Sequence, residues 1–84
     1  MTPESYIGSI STFAGYKHFI PYGWASCDGQ TLDVKNNQAL YAIIGNIYGG
    51  DFGHNFKLPN LNTGKKDGEP FYVICLQGVF PSPQ

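Results

Sequence analysis

An α+β fold of short antiparallel strands, one helix and long loops is what this sequence of 84 residues predicts, on three observations. Phe71 to Leu76 is an unbroken apolar run rich in β-formers, the pattern of a central strand covered on both faces. Leu40, Ile43, Ile44 and Ile47 recur at i, i+3, i+4 and i+7, the one helical stripe in the chain. Eleven glycines and six prolines cut the remainder into pieces too short for anything but brief strands and loops. A chain this short has a small interior. Even so, 42% apolar residues against 13% charged place it with folding rather than disordered sequences. Residues 1–84 are expected to form one domain, with no internal repeat.

The elements follow in order. Tyr6 to Ala14 reads as a strand, with Ile7, Ser9, Ser11 and Phe13 on one face and Tyr6, Gly8, Ile10 and Thr12 on the other. Neither face is cleanly polar, so both are expected to be partly covered. Residues 1–13 together make an N-terminal strand or arm, and Pro3 discourages helix at its start. Pro21-Tyr22-Gly23 is a turn into a short extended piece, Trp24 to Cys27. Asp28-Gly29 then signals a tight turn, with Thr31-Leu32 returning as its partner strand. The helix is expected from about Asn36 to Ile44. Asp33, Asn36 and Asn37 are available as N-caps, and Gly45 stands where a left-handed C-cap belongs. Tyr48 to His54 is too glycine-rich for regular structure, and Phe56-Lys57-Leu58 is a short strand stopped by Pro59. Residues 62–70 hold four of the eleven charges and read as a solvated loop.

Charge excludes several functions. Five lysines and no arginine against six acids give −1, without the planar guanidinium that reads phosphate and guanine, so a nucleic-acid partner is not expected. The longest apolar stretch, Ala39 to Ile44, is far short of the roughly 20 residues that cross a bilayer. No signal peptide is visible in Met1 to Ser5. Low charge with thirteen aromatic residues describes a surface suited to packing against other protein.

Catalytic chemistry finds little footing. Cys27, Cys75, His18 and His54 lack the close spacings of local zinc motifs, so no metal or cofactor is expected. Cys27 with a histidine base is the pairing any chain with both residues offers. Asp28 and Asp33 have turn and helix-start roles. In Gly49-Gly50-Asp51-Phe52-Gly53 the glycines follow a helix C-terminus, the wrong end of the dipole for a phosphate. Their expected job is to let a tight loop fold against Tyr48, Phe52 and Phe56. Cys27 and Cys75 either form a disulfide, contributing roughly 4 kcal/mol for a loop of that length, or stay as buried thiols. Trp24 is expected in the core beside Gly23, while Tyr6, Tyr16 and Tyr22 stay open as contact or carbohydrate-facing rings.

Several segments together resemble a known family. Gly23-Trp24-Ala25-Ser26-Cys27-Asp28-Gly29-Gln30 resembles the GWxxCDGQ stretch of the phage tail collar domain, and Asn37 to Gly45 its following helix. Tyr48-Gly49-Gly50-Asp51 is similar to the family's YGGD loop, Phe56-Lys57-Leu58-Pro59-Asn60-Leu61 to its F-x-LPDL piece. Leu76-Gln77-Gly78-Val79-Phe80-Pro81-Ser82 resembles the LQGIFPS ending of the microcystin-dependent protein group within it. The chain departs from that pattern at Asn60, where Asp is usual, in lacking the Arg that commonly follows, and at Asn62 to Pro70, which stands in place of a long insertion. The resemblance implies a non-enzymatic structural module of a virion tail or an extracellular or cell-surface fibre, without cofactor.

The function expected on these grounds is self-assembly, as a homo-oligomer or homopolymer in a phage-tail-type fibre or extracellular filament. The first alternative is a small receptor- or glycan-binding adhesin, and the second a cysteine-dependent enzyme using Cys27. A strand apolar on both faces and left at a sheet edge needs a cover. A neighbouring subunit supplies one by edge pairing or by exchange of the arm, with Tyr6, Ile7, Ile10 and Phe13 as the candidate contacts. The competing expectation is that this strand completes its own domain's sheet.

Overall fold

A computed structural model describes residues 5–66 and 68–81. Its elements run β1 (Ile10–Phe13), a 3-10 turn (Lys17–Phe19), β2 (Trp24–Ser26), β3 (Thr31–Asp33), α1 (Gln38–Ile44), β4 (Asn55–Lys57) and β5 (Phe71–Cys75). The expected α+β architecture is the observed one.

The apolar run at the end of the chain forms the central strand. β5 lies between β1 and β2, antiparallel to both, with Ile10 opposite Ile74 and Phe13 opposite Phe71 on one side and Trp24 opposite Cys75 on the other. Four of its five residues are buried, as a strand covered on both faces requires; Tyr72 alone is exposed. β3 and β4 make a separate two-stranded antiparallel sheet, with Leu32 opposite Phe56. The core gathers Ile7, Cys27, Leu40, Ile44, Phe56, Leu58 and Ile74, where the helix meets both sheets.

Four expectations are corrected. Thr31-Leu32 does not return against Trp24 to Cys27: β3 pairs with β4, and β2 with β5. The Asp28-Gly29 segment is folded on itself instead, since Gln30 Nε2 donates to the Ser26 carbonyl at 2.8 Å and Asp28 N–H to Gln30 Oε1 at 3.1 Å. That satisfies locally the groups a hairpin ladder would use.

The first strand is shorter than expected, Ile10–Phe13 rather than Tyr6 to Ala14. Residues 7 and 8 lie in a turn, and Ile7 drops into the chain's own core at 7% exposure. Ahead of that turn, Tyr6 bridges Val79 in parallel. β1 pairs with β5 of its own chain, so it completes its own sheet.

The helix begins at Gln38, not Asn36, because Asp33 Oδ2 accepts from both the N–H (3.1 Å) and Nδ2 (2.7 Å) of Asn36, holding a turn before the first helical residue. Gly45, at φ 53°, ends it. Ile47 therefore lies outside the helix and outside the buried stripe, 77% exposed, while Leu40 and Ile44 are buried.

Finally, residues 62–70 are not solvated throughout. Asn62 is buried, and the other described positions of that loop are exposed.

Candidate functional site: polar struts inside, uncovered rings outside

Two asparagines hold the long loops. Asn62 Nδ2 lies within hydrogen-bond reach of Ser26 Oγ, Asp28 Oδ1 and the carbonyls of Cys27 and Tyr72, at 3.0–3.2 Å, and its Oδ1 accepts the Tyr72 N–H at 2.7 Å. It thereby ties the loop before β5 to the end of β2. Asn46 plays the same part after the helix: Oδ1 accepts from the Tyr41 hydroxyl, and Nδ2 donates to the carbonyls of Gly49 (3.1 Å) and Asn55 (2.9 Å). The Tyr48-Gly49-Gly50 segment is thus drawn against β4. A Cβ at Gly50 would stand 2.6 Å from the Phe56 Cα and 2.8 Å from the Asn55 carbonyl oxygen, and φ there is +107°. Only glycine meets both conditions. Sequence reasoning missed both asparagines, since nothing in an isolated Asn announces that its amide will be buried.

The titratable motif residues are occupied with structure. Partial burial pulls the Asp28 carboxyl upward. Hydrogen bonds from Ser26, Lys17 and Asn62, with the Lys17 charge, outweigh it, so its pKa falls below the ordinary 3.8. Lys17 Nζ lies 3.0 Å from Asp28 Oδ2. Cys27 and Cys75 are fully buried free thiols. The register explains why they do not join. Trp24 is opposite Cys75, and the Cys27 N–H bonds the Tyr72 carbonyl, so the cysteines stand three positions apart along the strands. Three positions span about 10 Å, beyond the roughly 7 Å between Cα atoms that a disulfide bridges. Burial, with the Asp28 charge second, pushes the Cys27 thiol up to about 11. It is protonated at neutral pH and closed to solvent, the opposite of what a nucleophile needs. Burial also raises Cys75. Among the described residues no three His, Cys, Asp or Glu side chains gather as metal ligands.

What the chain leaves open is aromatic. Tyr16, Phe19 and Tyr22 project from the segment between β1 and β2, Tyr22 at 91% exposure, and none of the 3-10 turn is buried. His18 stacks on Tyr16 with the rings 12° from parallel and lies 4.3 Å from the Phe19 ring centre. Ile47, Tyr48 and Phe52 are exposed on the loops after the helix. Of the four candidate subunit contacts, Tyr6 and Ile10 are exposed, Phe13 is half-buried edge-on to Phe71 at 5.8 Å, and Ile7 is a core residue. Tyr6 lies beside Val79, itself exposed next to Phe80. Trp24 is half-buried rather than central to the core.

This arrangement, in which each segment of the motif string has a structural task, agrees with comparison against known proteins. The family model of the Phage Tail Collar Domain matches residues 8–64. The chain belongs to the phage tail collar domain family. The match takes in β1 to β4, the helix and both asparagine struts, and stops before β5. No curated protein and no solved structure matches the chain. Tail collar domains are generally structural, and the chemistry of this one agrees: its motif side chains are spent on turns, struts and an ion pair.

Proposed function

We propose that this protein is a structural subunit that associates with copies of itself, as part of a phage-tail-type fibre or an extracellular filament. Family membership supports a structural role in a virion tail or extracellular setting. The Leu76 to Ser82 segment, beyond the matched region, supports placing it in the microcystin-dependent protein group.

The observation that carries self-association is the outer edge of β1, which pairs with no further strand among the described residues. Cys75 N–H bonds the Ser9 carbonyl, and Ser11 and Phe13 follow in the same antiparallel register. By the alternation of such a ladder, the N–H and C=O groups of Ile10 and Thr12 point away from β5. Ile10 is exposed at that edge, and no charged side chain lies in β1 to deter pairing. A second copy adding its own edge there would satisfy those groups and cover the apolar side chain.

The test uses Thr12→Pro, which removes an outward-facing donor while leaving the ladder to β5 intact. Ile10→Lys, at an exposed side chain, asks the same question without altering the backbone. Negative-stain microscopy and light scattering should show elongated assemblies for the natural sequence and folded monomers for both variants. A natural protein that stays monomeric at high micromolar concentration refutes assembly, and variants that still assemble move the interface away from β1.

A further inference from the structure

We infer that the partner edge at β1 is the β1 of a second copy, paired antiparallel about a two-fold axis at Ser11; this rests on the self-association proposed above and names its partner surface and register. The two sheets have two edges each, borne by β1 and β2 in one and by β3 and β4 in the other. Three of them are closed, wholly or in part, by the chain itself. In β2 the ladder to β5 turns the backbone of Trp24 and Ser26 outward. There the Trp24 N–H donates to the Pro21 carbonyl at 3.1 Å, and the Ser26 carbonyl accepts from the Asp28 N–H and Gln30 Nε2. In β4 the outward residues are Asn55 and Lys57. Lys57 N–H donates to the Gly49 carbonyl, Asn55 N–H to the Asp51 carbonyl, and the Asn55 carbonyl accepts from Asn46 Nδ2. In β3 the Asp33 carbonyl accepts from Asn37 Nδ2 at 2.9 Å, and the Asp33 carboxylate sets a charge on that edge, which deters pairing.

β1 differs from all three. The N–H and C=O of Ile10 and Thr12 face outward, and among the described residues no turn or side chain meets them. An added strand has to offer a matching set of unbonded groups, and β1 is the strand of this chain that offers the full set. Two identical edges join about a two-fold axis, each presenting the same residues to the other. With Ile10 of each copy opposite Thr12 of the other, every outward group of both strands is bonded. A shift of two residues in either direction sets one residue opposite its twin. The other then faces the Gly8 turn or Ala14, both outside the strand. In the favoured register the exposed Ile10 packs beside Thr12 of the second copy, and the two Ser11 residues face each other across the axis. The joined sheet runs β2-β5-β1-β1-β5-β2 and ends on β2 at both sides. This contact therefore closes at two copies, and a filament grows through another surface of the pair.

Oxidative cross-linking of the full chain carrying Ser11→Cys, Ile10→Cys or Thr12→Cys tests the register. Facing residues of the Ser11 kind have Cα atoms about 4.5 Å apart, within the range a disulfide spans. The two copies of residue 10, offset by two positions, stand about 8 Å apart, as do those of residue 12, which is too far. Cys27 and Cys75 are fully buried and stay out of the reaction. Ser11→Cys should give a reductant-sensitive dimer and nothing larger by denaturing electrophoresis, while the other two variants stay uncrosslinked. Random collision would give the opposite order, because Ile10 and Thr12 are more exposed than Ser11. Cross-linking at residue 10 or 12 but not at 11 overturns the register. Absence of cross-links at all three positions, with light scattering still showing assembly, overturns the contact and leaves self-association standing. Covalent Ser11→Cys dimers from a protein that forms nothing larger uphold the contact and refute the filament.

Discussion

Residues 26–62 and residues 15–23 meet at the Lys17–Asp28 ion pair and are built on opposite terms. In the longer segment polar side chains work inward: Gln30 closes a turn, Asn46 pins a glycine loop, and Asn62 joins a loop to two strands. Among the described residues no buried side-chain nitrogen or oxygen lacks a partner. In the shorter segment three large rings face outward and stabilise little. Among the letters by which the family is known, Cys27, Phe56, Leu58 and Pro59 are buried.

Substitutions sharpen that contrast. The largest effect is expected from Gly50→Ala, whose new methyl would meet backbone atoms of β4 at a φ that L-residues avoid. A loss of about 4 kcal/mol or more is expected in urea unfolding. Leu40→Ala empties a site 1% exposed at the centre of the core and should cost roughly 3 kcal/mol. Asn62→Ala strands the Tyr72 N–H and the carbonyls it joins, so about 2 kcal/mol is expected from the same measurement.

Asp28 contributes less, because it is partly exposed. Its folded-state pKa lies below 3.8, so its contribution is present above that pH and is lost as pH falls through the lower folded value. The stability difference between the natural protein and Asp28→Asn should therefore shrink on acidification below pH 3.8. Last, Phe19→Ser with Tyr22→Ser should change stability by no more than about 0.5 kcal/mol. A larger loss would break the comparison, by showing that these rings serve the fold.

Legibility in the sequence followed the range of the interactions. β5 was readable because burial on both faces leaves an unbroken apolar run, and the helix end was readable because Gly45 is a local signal. The partner of β3 was not. Asp28-Gly29 looks like a hairpin from its letters, yet the choice between β2 and β4 rests on contacts with residues some 25 positions on, such as Leu58 N–H to the Gln30 carbonyl. Ile47 misled for a related reason: a periodic stripe says nothing about where the helix carrying it stops. For the candidate surface, Tyr16 and Tyr22 could be named as possible contacts, but their exposure depends on how the turn after β1 folds. Asn62 reads as part of a solvated loop because a buried amide and an exposed one are spelled alike.

The parallel bridge between Tyr6 and Val79 has a mechanical consequence. Ile7 N–H bonds the Val79 carbonyl and Val79 N–H the Ser5 carbonyl, so the two short segments run side by side in the same direction. Tension applied through residue 5 and residue 81 pulls on opposite ends of that pair. The bonds are then loaded together, in shear, instead of being peeled open one after another. Force entering at those two residues would meet bonds already oriented to bear it.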